Sequence, residues 1–177
     1  IPKKGRLSIS PMLSHNGRIL GAFIVSCIGE TKFQVTANYS SQAYHMRWFI
    51  QNQSSGVEIE NISDTLTGFQ VAGPNARKVL DVVSMNEIRS LKFFDVRQIQ
   101  IGIVDCLVQR VSYNGDLGYE IYCKHTVQKQ LWDILWTAGQ IYNMKPFGMR
   151  AMMSLRLDKF FGSWMSEFSP DYTASET

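Results

Sequence analysis

Hydrophobic and polar residues change their spacing several times along the chain, and each change marks an element. From Arg18 to Ser26 β-branched and aromatic residues predominate, a break follows at Ile28-Gly29-Glu30-Thr31, and Lys32 to Ala37 alternates polar with apolar residues. This pattern predicts two strands joined as a hairpin. Ser40 and Ser41 are N-cap types ahead of Ala43, Met46, Trp48 and Ile50, which recur at helical spacing until Ser54-Ser55-Gly56. Val57 to Ile62 and Gly68 to Ala72 read as two further strands, and Gly73-Pro74-Asn75 then opens a helix through Val79 to Val83.

The second half repeats the style. Gln98 to Val104 and Asp105 to Tyr113 are apolar and alternating, Asn114-Gly115-Asp116 is a turn signal, and Tyr119 to Cys123 is the return strand. Thr126 is a capping type ahead of a helix whose face is Leu131, Ile134, Leu135 and Ala138, with Gly139 at its end, and an amphipathic stretch runs from Met149 to Phe160. Strands interleaved with helices through hairpin-like links predict an α+β fold with mainly antiparallel sheets and packed helices.

With 45% hydrophobic and 19% charged residues over 177 positions, the chain has material for one substantial core, so residues 1–177 are expected to form a single domain. A net charge of +3, with its densest basic cluster only Lys3, Lys4 and Arg6, leaves no footprint for nucleic acid, and no apolar run is long enough to span a membrane. Cys27, Cys106 and Cys123 are widely spaced, which fits core thiols in a reducing compartment, the cytoplasm or a mitochondrial matrix, rather than disulfides or a metal site. A first residue other than Met and an end at Ser175-Glu176-Thr177 suggest a piece of a longer parent.

Among candidate chemical groups, Glu120 stands out because its strand leaves a turn containing Gly115 and Gly118, where backbone can approach a flat ligand. Alternation puts Glu120 and Tyr122 on one face and Tyr119 and Ile121 on the other. A carboxylate facing inward needs donors, and a pterin offers a ring N–H beside an NH₂ at the right spacing; facing outward, it is an ordinary surface Glu. His15 reads as a solvated loop residue, His45 as a partner of the fold, and the pair Glu58 and Glu60 as a charged strand face rather than a metal site. Trp132 and Trp136, four apart, share a helix face that is expected to be buried.

Four collinear stretches resemble one family. Tyr113-Asn-Gly-Asp-Leu-Gly-Tyr-Glu-Ile121 looks like the Y-T-G-E-x-G-x-E-I signature of aminomethyltransferases, the T-proteins of glycine cleavage. Met12 to Gly21, Gly68 to Ala76 and Gly148 to Asp158 resemble that family's early hairpin, its strand-to-helix turn and its G-x-R-A-x-x-S-L-R-L-E helix, in the same order. Ser154 to Tyr172 is closest to the folate-binding C-terminal parts of dimethylglycine and sarcosine dehydrogenases.

The resemblance implies a ferredoxin-like folate-binding domain of the T-protein type whose opening segment and following β-barrel lie outside this sequence. It implies tetrahydrofolate as cofactor, and one-carbon transfer from a small methylated amine such as dimethylglycine or sarcosine. FAD would belong only to an upstream domain or a separate subunit of the parent, since this chain has no G-x-G-x-x-G after a strand. Carried over by position, Glu120 holds the pterin, Tyr113 lines its pocket or is a core aromatic, and Arg150 meets the folate's glutamate end or an internal carboxylate. Trp164 falls where the family carries an aromatic after its R-L-E-K run, which implies a contact with the folate or an adjoining domain. One departure is plain: where T-proteins have adjacent aspartates after the hairpin, one of them assigned to chemistry at the folate nitrogen, this chain has Gly21-Ala22. The catalytic residue is therefore open, and two alternatives stand beside transfer from an amine: a non-catalytic folate-binding module, and a folate-dependent demethylase of a sulfonium compound.

Overall fold

The computed structural model describes residues 1–164 and 166–176. Its strands form two antiparallel sheets. The first is a three-stranded meander of β1 (Leu7–Leu13), β2 (Ile19–Cys27) and β3 (Phe33–Thr36), in that spatial order. Helix α1 (Gln42–Gln51) follows after a short 3₁₀ turn at Tyr39–Ser41, which is capped by the Asn38 side chain accepting from the Ser40 amide at 3.0 Å. The expected hairpin thus gains a strand, β1. Pro11 sits inside β1 and is tolerated because β1 is an edge strand with only β2 beside it.

The second sheet comprises β4 (Leu66–Ala72), β5 (Val96–Ile101), β6 (Val104–Gln109) and β7 (Gly118–Lys124), in the order β4-β7-β6-β5. Helices α2 (Ala76–Val83) and α3 (Gln128–Gly139) pack on its inner face, and α4 (Met149–Asp158) follows a linker. The turn between β5 and β6 falls at Gly102-Ile103, two residues earlier than the alternation suggests, because Gly102 takes a left-handed φ of 59°. Val57 to Ile62 forms no strand; Val57, Glu58 and Glu60 are exposed, so the segment has no apolar face to bury against a partner.

One core unites the second sheet with its helices. Leu80 of α2, Leu131 and Leu135 of α3, Val108 of β6 and Tyr119, Ile121 and Cys123 of β7 are all buried in it. Period-two alternation therefore commits Glu120 and Tyr122 to the opposite face. The two sheets are stitched side by side at their N-terminal corners, where the Leu7 amide donates to Phe94 O and the Val96 amide to Gly5 O, each at 2.9 Å.

Candidate functional site

On the face of the second sheet away from α2 and α3, the register aligns three polar side chains in one row. Gln70 of β4 pairs with Glu120 of β7, and Glu120 pairs with Gln109 of β6. Both amide groups, on buried Gln109 and half-buried Gln70, have neither oxygen nor nitrogen bonded among the described residues. Buried polar atoms in that condition are uncommon and costly. Glu120 accepts from the Tyr122 hydroxyl at 2.7 Å. Although the residue as a whole is half-buried, its carboxyl is desolvated, and burial raises its pKa against the Tyr122 bond and the charge of Lys159. Tyr122 is pushed up in turn, by burial first and by Glu120 second, while Thr36 of β3 lies close enough to oppose that rise.

The segment after α4 closes over this corner. Lys159 donates to Ser112 O and places Nζ 4.8 Å from the centre of the Phe161 ring, which meets Tyr113 edge-on at 5.3 Å. Gly115 in the preceding turn has a left-handed φ of 88°, and a β-carbon there would stand 3.1 Å from that of Lys159. The segment's path is set by Arg156, 6% exposed, whose guanidinium grips the Glu167 carboxylate at 2.9 and 3.1 Å and the Phe161 carbonyl at 2.8 Å. Five residues beyond Lys159, Trp164 packs against Tyr44 and His45 of α1, with ring centres 5.9 and 4.9 Å away.

A cleft of about 720 Å³ runs along the free edge of β4, within the usual range for a small-molecule site. Gln70, Asn114, Asp116, Trp132, Trp136 and Met152 are among its walls. Trp132 and Trp136 stack at 5.9 Å with planes 6° apart, and Trp132 is 42% exposed, so the helix face expected to be buried instead forms a cleft wall.

Of the residues singled out from sequence, Tyr113 and Glu120 meet around Lys159–Phe161, and Trp164 ends that same segment on α1. Arg150 lies apart, exposed on the first turn of α4 and outside the cleft lining. Its neighbour in the same motif, Arg156, is the buried one. Sequence reading missed Gln70, Gln109, Lys159 and Arg156. The period-two position of Gln70 opposite a carboxylate was readable once β4 and β7 were paired, but nothing local announces that pairing. His15 is exposed, 5.6 Å from the Trp48 ring, and Glu58 and Glu60 are exposed. Among the described residues no three acidic, His or Cys side chains gather as a metal set, and no helix is long and apolar enough to cross a membrane.

A family model described as the GCVT N-terminal domain matches residues 2–177. An aminomethyltransferase of Natranaerobius thermophilus is 30% identical over 175 residues, covering 98% of this chain and 48% of that protein. The mitochondrial dimethylglycine dehydrogenase of Homo sapiens is 34% identical over 176 residues, covering 97% of this chain and 20% of that protein. The chain thus spans about half the length of the first relative and a fifth of the second. In fold it resembles the glycine cleavage system aminomethyltransferase T of Bartonella henselae, with a TM-score of 0.81 at 23% identity over 97% of this chain and 45% of that one. A chain of the heterotetrameric sarcosine oxidase of Corynebacterium, at TM-score 0.62 and 14% identity over 82% of this chain and 69% of that one, shares the fold more distantly.

Proposed function

Because the chain belongs to the GCVT N-terminal domain family, we propose that it binds tetrahydrofolate and takes part in moving a one-carbon unit onto it from a methylated amine. The observation that carries this reading is the Gln70–Glu120–Gln109 row, a desolvated carboxylate flanked by two amides without partners. A pterin edge supplies what the row lacks: its ring N–H and NH₂ donate to Glu120, and its ring nitrogen and carbonyl offer acceptors to an amide. Tyr113, backed by Phe161, supplies an aromatic surface for the flat ring, and exposed Arg150 suits the solvent-facing glutamate tail. Trp164 borders the same region from the C-terminal segment, where it packs on α1. The protein's contribution is position: a reactive carbon held beside a folate nitrogen reacts before water reaches it.

Dimethylglycine or sarcosine is the donor class suggested by the names of the relatives, and an FAD-bearing domain or subunit of the parent would supply the oxidising step. In this reading residues 1–177 are a single folate-binding domain, with the barrel of the T-protein type beyond it. One observation favours a second reading, a binding module without transfer: Gly21-Ala22 leaves the β2 position without a carboxylate. Formation of methylene-tetrahydrofolate by the intact protein from either amine separates the two.

Calorimetric titration of the intact protein with tetrahydrofolate tests the binding claim. Glu120→Ala is expected to weaken binding by about 1–3 kcal/mol, the cost of leaving buried ligand donors unmatched. Unchanged affinity removes the assignment.

A further inference from the structure

Gly21 and His45 share one space. A β-carbon at Gly21 would stand 2.9 Å from His45 Nε2 and 2.9 Å from two atoms of the Phe23 ring, all side-chain atoms. Real β-carbons essentially never stand that close, so an aspartate on β2 at this point requires the imidazole from α1 or the Phe23 ring to shift. The strand position that lacks an acid in the sequence is therefore not vacant: α1 has placed an ionisable ring there.

His45 is 3% exposed, and neither ring nitrogen has a hydrogen-bond partner among the described residues. It is walled by Phe23 at 4.8 Å from β2, Tyr44 at 5.6 Å from its own helix and Trp164 at 4.9 Å from the C-terminal segment. Trp164 Nε1, in the same cluster, is a second buried group without a partner among the described residues. Two polar groups from separate elements, both unsatisfied and enclosed by aromatic faces, make a place that a ligand completes. No charged residue acts on the imidazole among those described; the only titratable neighbour in the cluster is the Tyr44 phenol. Burial lowers the His45 pKa, and the Leu20 backbone, outside hydrogen-bond geometry, offsets only part of this. The ring is neutral at physiological pH, the form that accepts a proton.

One C-terminal segment joins the cluster to the Glu120 corner. Lys159, whose charge acts on Glu120, and Trp164, which touches His45, are five residues apart, so at most about 18 Å of extended chain separates them.

We propose that His45, packed against Gly21 and bordered by Trp164 Nε1, is the proton acceptor for the ligand nitrogen at this cluster. The inference rests on the folate reading. In the step assigned to it, the folate nitrogen's lone pair forms a bond to an iminium carbon, and the C=N π electrons return to the amine nitrogen. The folate nitrogen then sheds its N–H proton to His45, directly or through one water, and the imidazolium passes it to solvent. No oxidant or reductant is needed.

Two experiments on the intact protein decide it. Nuclear magnetic resonance of ¹⁵N-labelled histidine, with His45 identified by its loss in His45→Phe, is followed while 5-formyltetrahydrofolate is added. The His45 ring resonances and their pH titration are expected to move on binding, and His45→Phe is expected to bind about tenfold more weakly. Binding heat with unmoved His45 resonances overturns the proposal and leaves the folate reading standing; no binding heat in the wild type overturns the folate reading and this role with it. Separately, Gly21→Asp should lower the melting temperature and the pair Gly21→Asp with His45→Ala should recover most of it. A well-folded Gly21→Asp protein with His45 still buried would refute the shared space.

Discussion

Glu120 and His45 are held in opposite protonation directions by the same cause, loss of water. Burial raises the Glu120 pKa, so the folded state prefers the protonated acid and loses stability as pH rises through the interval between the unfolded and folded values. Glu120→Gln keeps the shape and removes that cost; at pH 7 to 8 it is expected to raise the melting temperature by a few degrees, on the order of 1 kcal/mol, while weakening folate binding. A melting curve paired with a titration checks both signs. His45 runs the other way: its lowered pKa makes the folded state prefer the neutral ring, so stability is full above the unfolded value near 6.5 and falls as pH drops below it. His45→Phe should flatten that acid loss, measured as melting temperature between pH 7.5 and 5. Cys106 adds a third case. Burial pushes its thiol up to about 12, and Cys27 and Cys123 are buried free thiols as well, so none should react with a thiol reagent until the protein unfolds.

At the scale of elements, the local signals that carried their own period were legible. The alternation of Tyr119 to Cys123 placed Glu120 opposite the core, and helices α1, α2, α3 and α4 lie where apolar spacing put them. Failures came where tertiary context decides. Pro11 hides β1 from a propensity reading, although an edge position tolerates it. Val57 to Ile62 has β-like alternation but nothing to pair with. Trp132 and Trp136 satisfy a buried-face pattern, yet α3 turns them toward the cleft along β4. The site was half legible for the same reason. Glu120 and Tyr113 lie in one contiguous motif, whereas Gln70, Gln109, Lys159 and His45 reach the candidate site through strand pairing or tertiary packing 11 to 75 positions away from Glu120, which no local pattern reveals. The C-terminal segment depends on one ion pair. Arg156→Met should release the exposed Glu167 carboxylate and loosen Phe161 to Trp164; hydrogen exchange of residues 159–164 is the measurement, with faster exchange expected.

The whole molecule is two antiparallel sheets joined at a corner, with one core between the second sheet and α2 and α3. That arrangement holds the polar row in place, because Glu120 sits on β7, an inner strand of a sheet whose other face is packed in the core. Leu80, fully buried in that core, gives the corresponding stability test: Leu80→Ala should destabilise the protein by about 2–5 kcal/mol in chemical denaturation. The central claim, that this sheet face reads a pterin, is tested most directly by a crystal structure of the intact protein with 5-formyltetrahydrofolate. The pterin NH₂ and ring N–H are expected about 2.7–3.1 Å from the Glu120 carboxylate oxygens. A folate bound elsewhere, with Glu120 still bonded only to Tyr122 and both amides of the row still without partners, would contradict it.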